Sequence, residues 1–323
     1  MSLADIQVTQ KKVMQILHYW LKYQKVPHTL LFYGAAGSGK SFFSHHFAQD
    51  FLCQSPQEGF ACQSCLSCKT WKAGTHPDYH CFSVDPGQTL GIDIARKIQE
   101  IACWKPVYSN KNCIVIDDID QMTSEAFNSM LKTLEEPNPS SQFVMTSSKI
   151  DHLPSTILSR AIRIPFHRLN SDQLIPVLDL TTHDPDWKDI VLLLSHGNLN
   201  KAIFMLADEQ KTIITQWIEQ LLLLFSESVS SFPVFPKNQP ELYLDIWKTI
   251  LREWYKMKLT SSQNSILWRE EMMAKFLKIK CSARQLLNIQ EKLIMLEADL
   301  NKTRINAKSN ADFWMISSRQ CLQ

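Results

Sequence analysis

The stretch Gly34-Ala35-Ala36-Gly37-Ser38-Gly39-Lys40-Ser41 decides the fold of this chain. It lies between an apolar run, residues 29–33, and a helical-looking segment, residues 42–51, so it fits the pattern G-x-x-x-x-G-K-[ST] in the strand–turn–helix context that this phosphate-binding loop requires. Its small residues allow backbone N–H groups to converge on a phosphate at the positive end of the following helix. The residues predicted to bind a nucleoside triphosphate are Gly34, Gly37, Ser38, Gly39, Lys40, which reaches the β- and γ-phosphates, and Ser41, which holds Mg²⁺.

Two carboxylates end a second apolar run, Ile114-Val115-Ile116-Asp117-Asp118. At the carboxyl end of a strand, Asp117 could hold Mg²⁺ through water. The alternative is an ordinary polar turn, because aspartates commonly cap turns and helices. The phosphate-binding loop upstream favours the metal-binding interpretation.

Strand-like and helix-like segments alternate through the first half of the chain, which predicts an α/β fold with a parallel sheet and helices on both faces. The predicted strands are residues 29–33, 80–84, 112–117, 142–146 and 163–166. The predicted helices between them cover residues 13–21, 42–51, 92–104 and 124–134. Thr123 or Ser124 is the expected N-cap of the last one.

Beyond residue 167 the strand signals fade and helices are predicted at residues 172–178, 187–194, 200–207, 213–225 and 241–300. A segment rich in Ser, Pro and Asn, residues 226–240, is the best candidate for a linker or long loop. At 323 residues the chain exceeds the usual size of a single core. We predict a nucleotide-binding core over 1–167, a small helical domain over 168–210 and a second helical domain over 211–323.

Four of the nine cysteines are concentrated within sixteen residues, at Cys53, Cys62, Cys65 and Cys68. Four thiolates at these short spacings suit a tetrahedral Zn²⁺ ion, and a closed set of four leaves no open position for catalysis. Folding around the metal would offset the entropy of ordering the loop 53–68. An iron–sulfur cluster and free thiols are the alternatives. The iron–sulfur signature has a further Cys-Pro shortly after its third cysteine, whereas this chain has Lys69 and Trp71 after Cys68, which disfavours the cluster.

The composition is that of an ordinary globular protein, with 45% hydrophobic residues and a net charge of +2. This charge neither requires nor excludes nucleic acid, so any basic surface would be local. No secretory signal is visible at the start, and the longest apolar run, residues 221–225, is too short to span a bilayer. We therefore expect a soluble, cytoplasmic protein without a membrane partner.

Five further short sequence motifs occur in this order along the chain. They are His28–Phe32 before the loop, the four cysteines after its helix, Phe127–Pro137 with Leu-Lys-Thr-Leu-Glu-Glu-Pro, Phe143–Ser148, and Leu153-Pro-Ser-Thr-Ile-Leu-Ser-Arg160. Over residues 8–210 this arrangement resembles the AAA+ subunits of the bacterial DNA polymerase III clamp loader. The resemblance implies that the helical domains are a small lid and a collar that holds a ring of subunits together.

The resemblance also implies roles for four residues. Ser147 and Ser148 match the sensor 1 pair, which contacts the γ-phosphate or the attacking water. Arg160 matches an arginine finger that acts in trans on the ATP of a neighbouring subunit; without context it would be a surface arginine paired with a carboxylate. Arg96 resembles a basic residue aimed at the template backbone, and its alternative is a solvated charge on a helix face.

Two departures distinguish the chain from the motor subunits γ and τ. Asp118 stands where these carry Glu as the base that activates water, and it is one methylene shorter. In Gly197-Asn-Leu-Asn200, Asn200 replaces the sensor 2 arginine of the lid and cannot supply its charge. The string Gly74-Thr-His76-Pro77-Asp78 and the absence of a long C-terminal extension instead resemble δ′ subunits.

The resemblance therefore implies a δ′-like subunit that lends Arg160 to an adjacent ATP site while the sliding clamp is loaded onto primed DNA. The implied partners are the γ/τ and δ subunits, the clamp and the primer–template backbone. The implied cofactors are structural Zn²⁺ and ATP with Mg²⁺, and the departures argue against hydrolysis by the chain's own site. The alternatives are a γ-like subunit that itself hydrolyses ATP, or a structural subunit whose phosphate-binding loop is static or a relic.

Overall fold

The apolar runs predicted as strands form one five-stranded sheet with the order β2-β3-β4-β1-β5 in the computed structural model, which describes residues 10–84, 88–179, 184–225, 240–260, 279 and 281–302. The strands are β1 (Thr29–Gly34), β2 (Tyr79–Phe82), β3 (Asn112–Ile116), β4 (Ser141–Ser147) and β5 (Ile162–Phe166). Every pairing is parallel. The predicted fold class is therefore confirmed.

Helices cover both faces of this sheet. They are α1 (Lys11–Lys22), α2 (Lys40–Leu52), α3 (Leu66–Lys72), α4 (Ile92–Ala102), α5 (Ser124–Glu135) and α6 (Ser155–Leu158). Successive strand residues point to opposite faces. Leu31 belongs to the core that includes Ile98 of α4 and Met130 of α5. Phe32 contacts Phe47 of α2, with ring centroids 6.4 Å apart.

The central strands are buried from end to end, which explains why they read as continuous apolar runs. Every residue of β3 and β4 is buried. Because all five strands are parallel, their carboxyl ends lie along one edge of the sheet. The phosphate-binding loop follows β1, Asp117 follows β3, and Ser148 follows β4, so the topology gathers the predicted nucleotide site at this edge.

Most elements begin or end one or two residues away from their predicted bounds, and further differences concern α3 and α1. The cysteine segment contains a short helix, α3, which was predicted as loop. Strand β2 begins one residue earlier than predicted and ends at Phe82. In α1 the residues that face the core are Val13 and Leu17, whereas Ile16, which has the helical spacing of a core residue, is 44% exposed. Thr123 is the N-cap of α5, as one of the two alternatives expected.

The described residues divide into two compact units. The first comprises Met1–Pro176 and Gly197–Leu199, and the second Val177–His196 and Asn200–Gln323. The remaining helices are α7 (Ser171–Asp179), α8 (Pro185–Ser195), α9 (Leu199–Leu206), α10 (Asp208–Phe225), α11 (Pro240–Thr260) and α12 (Ala283–Lys302). The predicted linker, except Pro240, lies outside the described residues, as does the end of the predicted collar. The division of the helical part into two domains stays a prediction.

Buried aromatic side chains form much of the core of the second unit. Trp247 and Trp254 of α11 are fully buried, and the rings of Trp217 and Tyr243 meet edge-on with centroids 5.1 Å apart. No helix within the described ranges is both long enough and apolar enough to cross a membrane.

Candidate functional site

The phosphate-binding loop connects β1 to α2. Residues 197–199 of the same unit pack against it and hydrogen-bond to its carbonyl groups. The Leu199 N–H donates to the Gly37 carbonyl at 2.7 Å, and Asn198 Nδ2 donates to the Ala36 carbonyl at 3.2 Å. Gly37 has a φ of 73°, and a Cβ at this position would lie 1.8 Å from Asn198 Oδ1. The positive φ therefore disfavours any side chain at Gly37, and a Cβ there would also displace the Asn198 amide from the loop.

Lys40, the first residue of α2, is 4% exposed, and its ammonium group makes three hydrogen bonds. Nζ donates to the carbonyls of Gly34 at 2.8 Å and Ala35 at 2.9 Å, and to Ser148 Oγ at 3.1 Å. Burial lowers the pKa of Lys40, and three nearby carboxylates act in the opposite direction. These carboxylates are Asp118, Asp120 and Asp117.

Asp117 lies directly after β3, and both of its carboxylate oxygens have partners. Thr146 Oγ1 donates to Oδ1 at 3.1 Å, and His45 Nε2 lies 3.4 Å from Oδ2. Asp118 follows in the left-handed region with φ 48°, where its N–H donates to the same Thr146 hydroxyl at 2.9 Å. Desolvation and the charges of Asp120 and Asp117 raise the pKa of Asp118.

The two predicted sensor serines have different surroundings. Ser148 accepts the Lys40 ammonium, and its own N–H donates to Asp120 Oδ1 at 2.9 Å. Ser147 is fully buried, and its hydroxyl accepts the N–H of Lys149 at 3.2 Å. The structure thus brings Ser148 to the phosphate-binding loop and places Ser147 at the buried end of β4, where its hydroxyl accepts an N–H of the following loop.

Thr146 and Asp120 are functional candidates that the sequence analysis missed. Thr146 connects Asp117 to Asp118, and Asp120 connects the end of β3 to Ser148. Thr146 stands just before the serine pair. Asp120 lies in the short 3-10 helix Ile119–Gln121, which directly follows the paired carboxylates. Only the position of each residue beside a motif could have indicated them.

Ser38 provides a test of whether the loop fits a phosphate. Its hydroxyl is buried, and no group in the described part of the chain hydrogen-bonds to it. A buried hydroxyl without a partner is unfavourable unless a ligand or water supplies one. Together with the three donors of Lys40, this hydroxyl gives the loop the chemistry that phosphate oxygens require.

The four clustered cysteines come together around one point. Cys53 Sγ lies 3.9 Å from Cys65 Sγ and 3.7 Å from Cys68 Sγ. Sulfur atoms around a tetrahedral ion with bonds of about 2.3 Å stand about 3.8 Å apart, so the cluster could hold a metal ion. Backbone N–H groups of Cys62, Cys65 and Cys68 donate to the preceding sulfur atoms at 3.3–3.4 Å. Hydrogen bonds from the backbone N–H groups of Ser64 and Cys65 lower the pKa of Cys62 to about 6.

The His76-Pro77-Asp78 string anchors the cysteine segment to the sheet. Asp78 is fully buried, and its carboxylate accepts the N–H groups of Val107, Tyr108 and Ser109 at 2.5–2.8 Å. The Asp78 N–H donates to His76 Nδ1 at 3.1 Å, which leaves Nε2–H of the neutral ring to donate to Ser67 Oγ at 2.7 Å. Ser67 belongs to α3, between two of the clustered cysteines.

Arg160 and Arg96 lie on other elements and have partners of their own. The Arg160 guanidinium pairs with Glu135 at the end of α5 and donates to the Thr156 carbonyl at 2.7 Å. Arg96 on α4 is mostly exposed and lies 3.6 Å from Asp93.

Residues 9–170, which are 162 of the 323 residues, match the model of the family described as DNA polymerase III, delta subunit. The chain belongs to this family. Its match covers the whole sheet, the phosphate-binding loop, the four-cysteine cluster and Arg160.

Members of this family and related subunits are among the curated relatives of the chain. The DNA polymerase III subunit δ′ of Bacillus subtilis is 34% identical over 170 residues, which are 52% of this chain and 50% of that protein. The δ′ subunit of Escherichia coli is 32% identical over 134 residues, 41% of this chain and 40% of that protein. The τ subunit of B. subtilis is 29% identical over 168 residues, 52% of this chain and 30% of that protein. The matches thus span half the length of these relatives or less.

A DNA polymerase III γ-subunit-related protein from Thermotoga maritima aligns over 95% of this chain and 99% of its own, with a TM-score of 0.45 and 15% identity. This likeness is too weak to add to the family assignment. In the present family member, Asn200, which the sequence predicts to stand at the sensor 2 position, is exposed and lies in the second unit, whereas Gly197–Leu199 belong to the first.

Proposed function

We propose that this chain is a δ′-type subunit of the DNA polymerase III clamp loader, which binds ATP in its own phosphate-binding loop and lends Arg160 to the ATP site of a neighbouring γ/τ subunit. The main support is the family match over residues 9–170, with δ′ subunits among the most similar relatives. The δ subunit, the sliding clamp and primer–template DNA are the other proposed partners, and the cytoplasm is the proposed location.

The residues of the loop suit ATP with Mg²⁺. Lys40 Nζ can exchange its three oxygen acceptors for phosphate oxygens without losing a hydrogen bond. Gly34, Gly37, Ser38 and Gly39 would form the cradle, and Ser41 and Asp117 would hold Mg²⁺. The bound Mg²⁺ would neutralise phosphate charge; Ser147 and Ser148 would position the γ-phosphate side of the nucleotide.

Hydrolysis by this site is expected to be slow because the general-base position is occupied by Asp118. Its side chain is one methylene shorter than glutamate, and its N–H is already fixed by Thr146, which limits how far the carboxylate can advance. Asn200 cannot supply the positive charge of the arginine usual at its position. We therefore assign the catalytic contribution of this chain to Arg160, acting in trans.

The Arg160–Glu135 ion pair provides a matched control for this assignment. Arg160→Ala removes the guanidinium and the ion pair, whereas Glu135→Gln removes the ion pair alone. If Arg160 is a finger, the reconstituted loader with Arg160→Ala should assemble and lose most of its DNA-stimulated ATPase activity, since arginine fingers contribute about 10³-fold or more. The Glu135→Gln loader should retain it.

The measurement is co-purification with γ/τ and δ, followed by steady-state ATPase with clamp and primed DNA. Unchanged activity with Arg160→Ala would refute the finger. Equal losses in both variants would instead show that the ion pair matters only for local structure.

A γ-like subunit that hydrolyses ATP itself is the second candidate, because Lys40, Asp117 and Ser148 form a connected set beside the loop. ATP hydrolysis by the purified chain with clamp and DNA, but without other subunits, would support it. Equilibrium binding of labelled ATP to wild type and Lys40→Ala separates both candidates from a relic loop. If the loop is a relic, neither of the two proteins binds nucleotide.

We assign Zn²⁺ to the four-cysteine cluster because its sulfur separations match a tetrahedral all-thiolate site. Cys65→Ser should lose one equivalent of zinc, measured by atomic emission, while Cys103→Ser, which changes an exposed cysteine outside the cluster, should retain it. Equal zinc content in the two variants would refute the assignment.

DNA contact through Arg96 is the least direct part of the proposal. Its exposure leaves the guanidinium accessible to a phosphate, and its distance of 3.6 Å from Asp93 marks a weak pair. Arg96→Ala should weaken loader binding to DNA of any sequence and reduce the slope of log K against log salt by about one.

A further inference from the structure

Three side chains that could bind a metal converge next to the nucleotide site, outside the four-cysteine cluster. His45 comes from α2, Cys81 from β2, and Asp117 from the end of β3. The nitrogen, sulfur and oxygen atoms that they offer all lie within 4.8 Å of one another. We call these residues the His–Cys–Asp cluster.

Tyr79 holds the His45 side chain in place. Its hydroxyl hydrogen-bonds to His45 Nδ1. When an ion binds Nε2, which faces Asp117, Nδ1–H would donate to the tyrosine oxygen. An outer partner that fixes the ring and tautomer in this way is usual around metal-binding histidines.

The spacing of the first two ligand atoms fits a small tetrahedral ion. His45 Nε2 lies 3.4 Å from Asp117 Oδ2. Nitrogen and oxygen ligands at about 2.0–2.2 Å from a tetrahedral ion stand about 3.4 Å apart. The position of Oδ2 is further fixed because the other oxygen, Oδ1, accepts the Thr146 hydroxyl.

The donor set selects the kind of ion. A thiolate, an imidazole and a carboxylate together suit Zn²⁺ and similar borderline-soft cations, whereas Mg²⁺ prefers an all-oxygen site. Cys81 is exposed, and the His45 side chain is 40% exposed, so an ion can reach the cluster from solvent. Three protein ligands would leave one position for water.

We propose that His45, Cys81 and Asp117 form a second metal site, for Zn²⁺ or a similar cation, in addition to the four-cysteine site. Such an ion would connect α2, β2 and β3 at the carboxyl edge of the sheet. The site shares Asp117 with the proposed Mg²⁺–ATP site, but it needs neither nucleotide nor partners, so metal binding by it can be tested separately from the proposed function. Without an ion, the same contacts would be an ordinary histidine–carboxylate pair beside a free cysteine.

Titration of the reduced full-length chain with Co²⁺ decides between these two possibilities. The chain is first stripped of metal and given one equivalent of Zn²⁺ to occupy the four-cysteine site. Wild type should then bind one equivalent of Co²⁺, with the thiolate-to-metal charge-transfer band and the visible bands of a four-coordinate ion, and with a higher Tm than before addition.

The variants test the ligands one by one. Cys81→Ser and His45→Gln should lose the charge-transfer band and the second equivalent while retaining the first, which also shows that they fold. Cys103→Ser, with a different exposed cysteine changed, should behave as wild type. Tyr79→Phe should retain the spectrum but bind about 10-fold or more weakly, because the outer partner is lost. A wild type that binds no second ion would overturn the proposal, as would a second equivalent of Co²⁺ bound by Cys81→Ser or His45→Gln as tightly as by wild type.

Discussion

At the scale of single residues, Asp78 shows what a buried carboxylate contributes to this fold. It accepts three consecutive backbone N–H groups, those of Val107, Tyr108 and Ser109, and so closes the loop that leads into β3. Its sequence neighbour His76 reaches α3 through Ser67. The His-Pro-Asp string, which was singled out in the sequence only for its family resemblance, therefore has a structural role between the cysteine segment and the sheet.

Replacing Asp78 by Ala should lower the free energy of unfolding of the first unit by about 3 kcal/mol, because three backbone donors lose a charged acceptor. Asp78→Asn should cost less, since one acceptor oxygen remains. Urea unfolding followed by circular dichroism measures both. Asp93→Ala, at an aspartate whose side chain is 93% exposed, should change stability by less than about 0.5 kcal/mol. A similar cost for Asp93 and Asp78 would contradict the assigned role.

At the scale of elements, α2 carries several titratable side chains, and burial shifts the pKa values of two of them in opposite directions. It begins with Lys40, carries His45 and His46, and ends just before the first clustered cysteine. Burial lowers the pKa of His46 to about 4, and burial raises the pKa of Asp50 to about 7. The Asp50 carboxylate accepts the Ala61 N–H at 2.8 Å, so its protonation is linked to the cysteine loop.

The opposite shifts on α2 predict opposite dependences of stability on pH. The folded-state pKa of Asp50, about 7, exceeds its ordinary value of 3.8, so its contribution is complete below pH 3.8 and is lost as the pH rises through 7. Asp50→Asn removes this dependence and retains an acceptor for Ala61. The stability of Asp50→Asn relative to wild type should therefore increase between pH 5 and 8, by up to about 1.4 kcal/mol per pH unit.

His46→Gln is the control with the reverse sign. The folded-state pKa of His46, about 4, lies below its ordinary 6.5, so its stabilising contribution is present above pH 6.5 and is lost as the pH falls toward 4. His46→Gln should therefore gain stability relative to wild type on acidification. Denaturant unfolding across this pH range measures both differences, and parallel profiles for the three proteins would contradict the shifts.

At the scale of the whole molecule, each compact unit has a core of its own. The first unit is built around the sheet, with Leu31, Ile114 and Phe143 fully buried. The second is helical, with Trp247 and Trp254 fully buried. Separate cores allow each unit to respond to core mutations by itself.

Trp247→Ala should destabilise the second unit by about 3–5 kcal/mol, because a large buried side chain leaves a cavity. Hydrogen exchange followed by mass spectrometry should show faster exchange in α11, while the amides of β3 and β4 retain their protection. Trp104→Ala, at a tryptophan of the first unit that is 46% exposed, should leave both regions unchanged. Equal acceleration of α11 and β3 by Trp247→Ala would show instead that the units unfold together.

Much of the fold could be predicted because the strong signals are local. The buried strands are continuous apolar runs, and the turn that follows β1 is specified by its glycines. The short α3 was not predicted, because seven residues with an exposed Leu66 carry no helical periodicity. The exposure of Ile16 was not predicted either, since periodicity identifies an apolar face but not what covers it.

By itself, the sequence determined the phosphate-binding loop, the four-cysteine cluster, the alternation that gives a parallel sheet, and the family to which the residues of these motifs pointed. The tertiary structure alone decided which side chains meet: Lys40 with Ser148, Thr146 with Asp117, Arg160 with Glu135, and His45 with Asp117. The physical reason is that motifs record interactions between neighbours in the chain. Contacts across a parallel sheet depend on strand order and register, which bring together residues 25 to 108 positions apart.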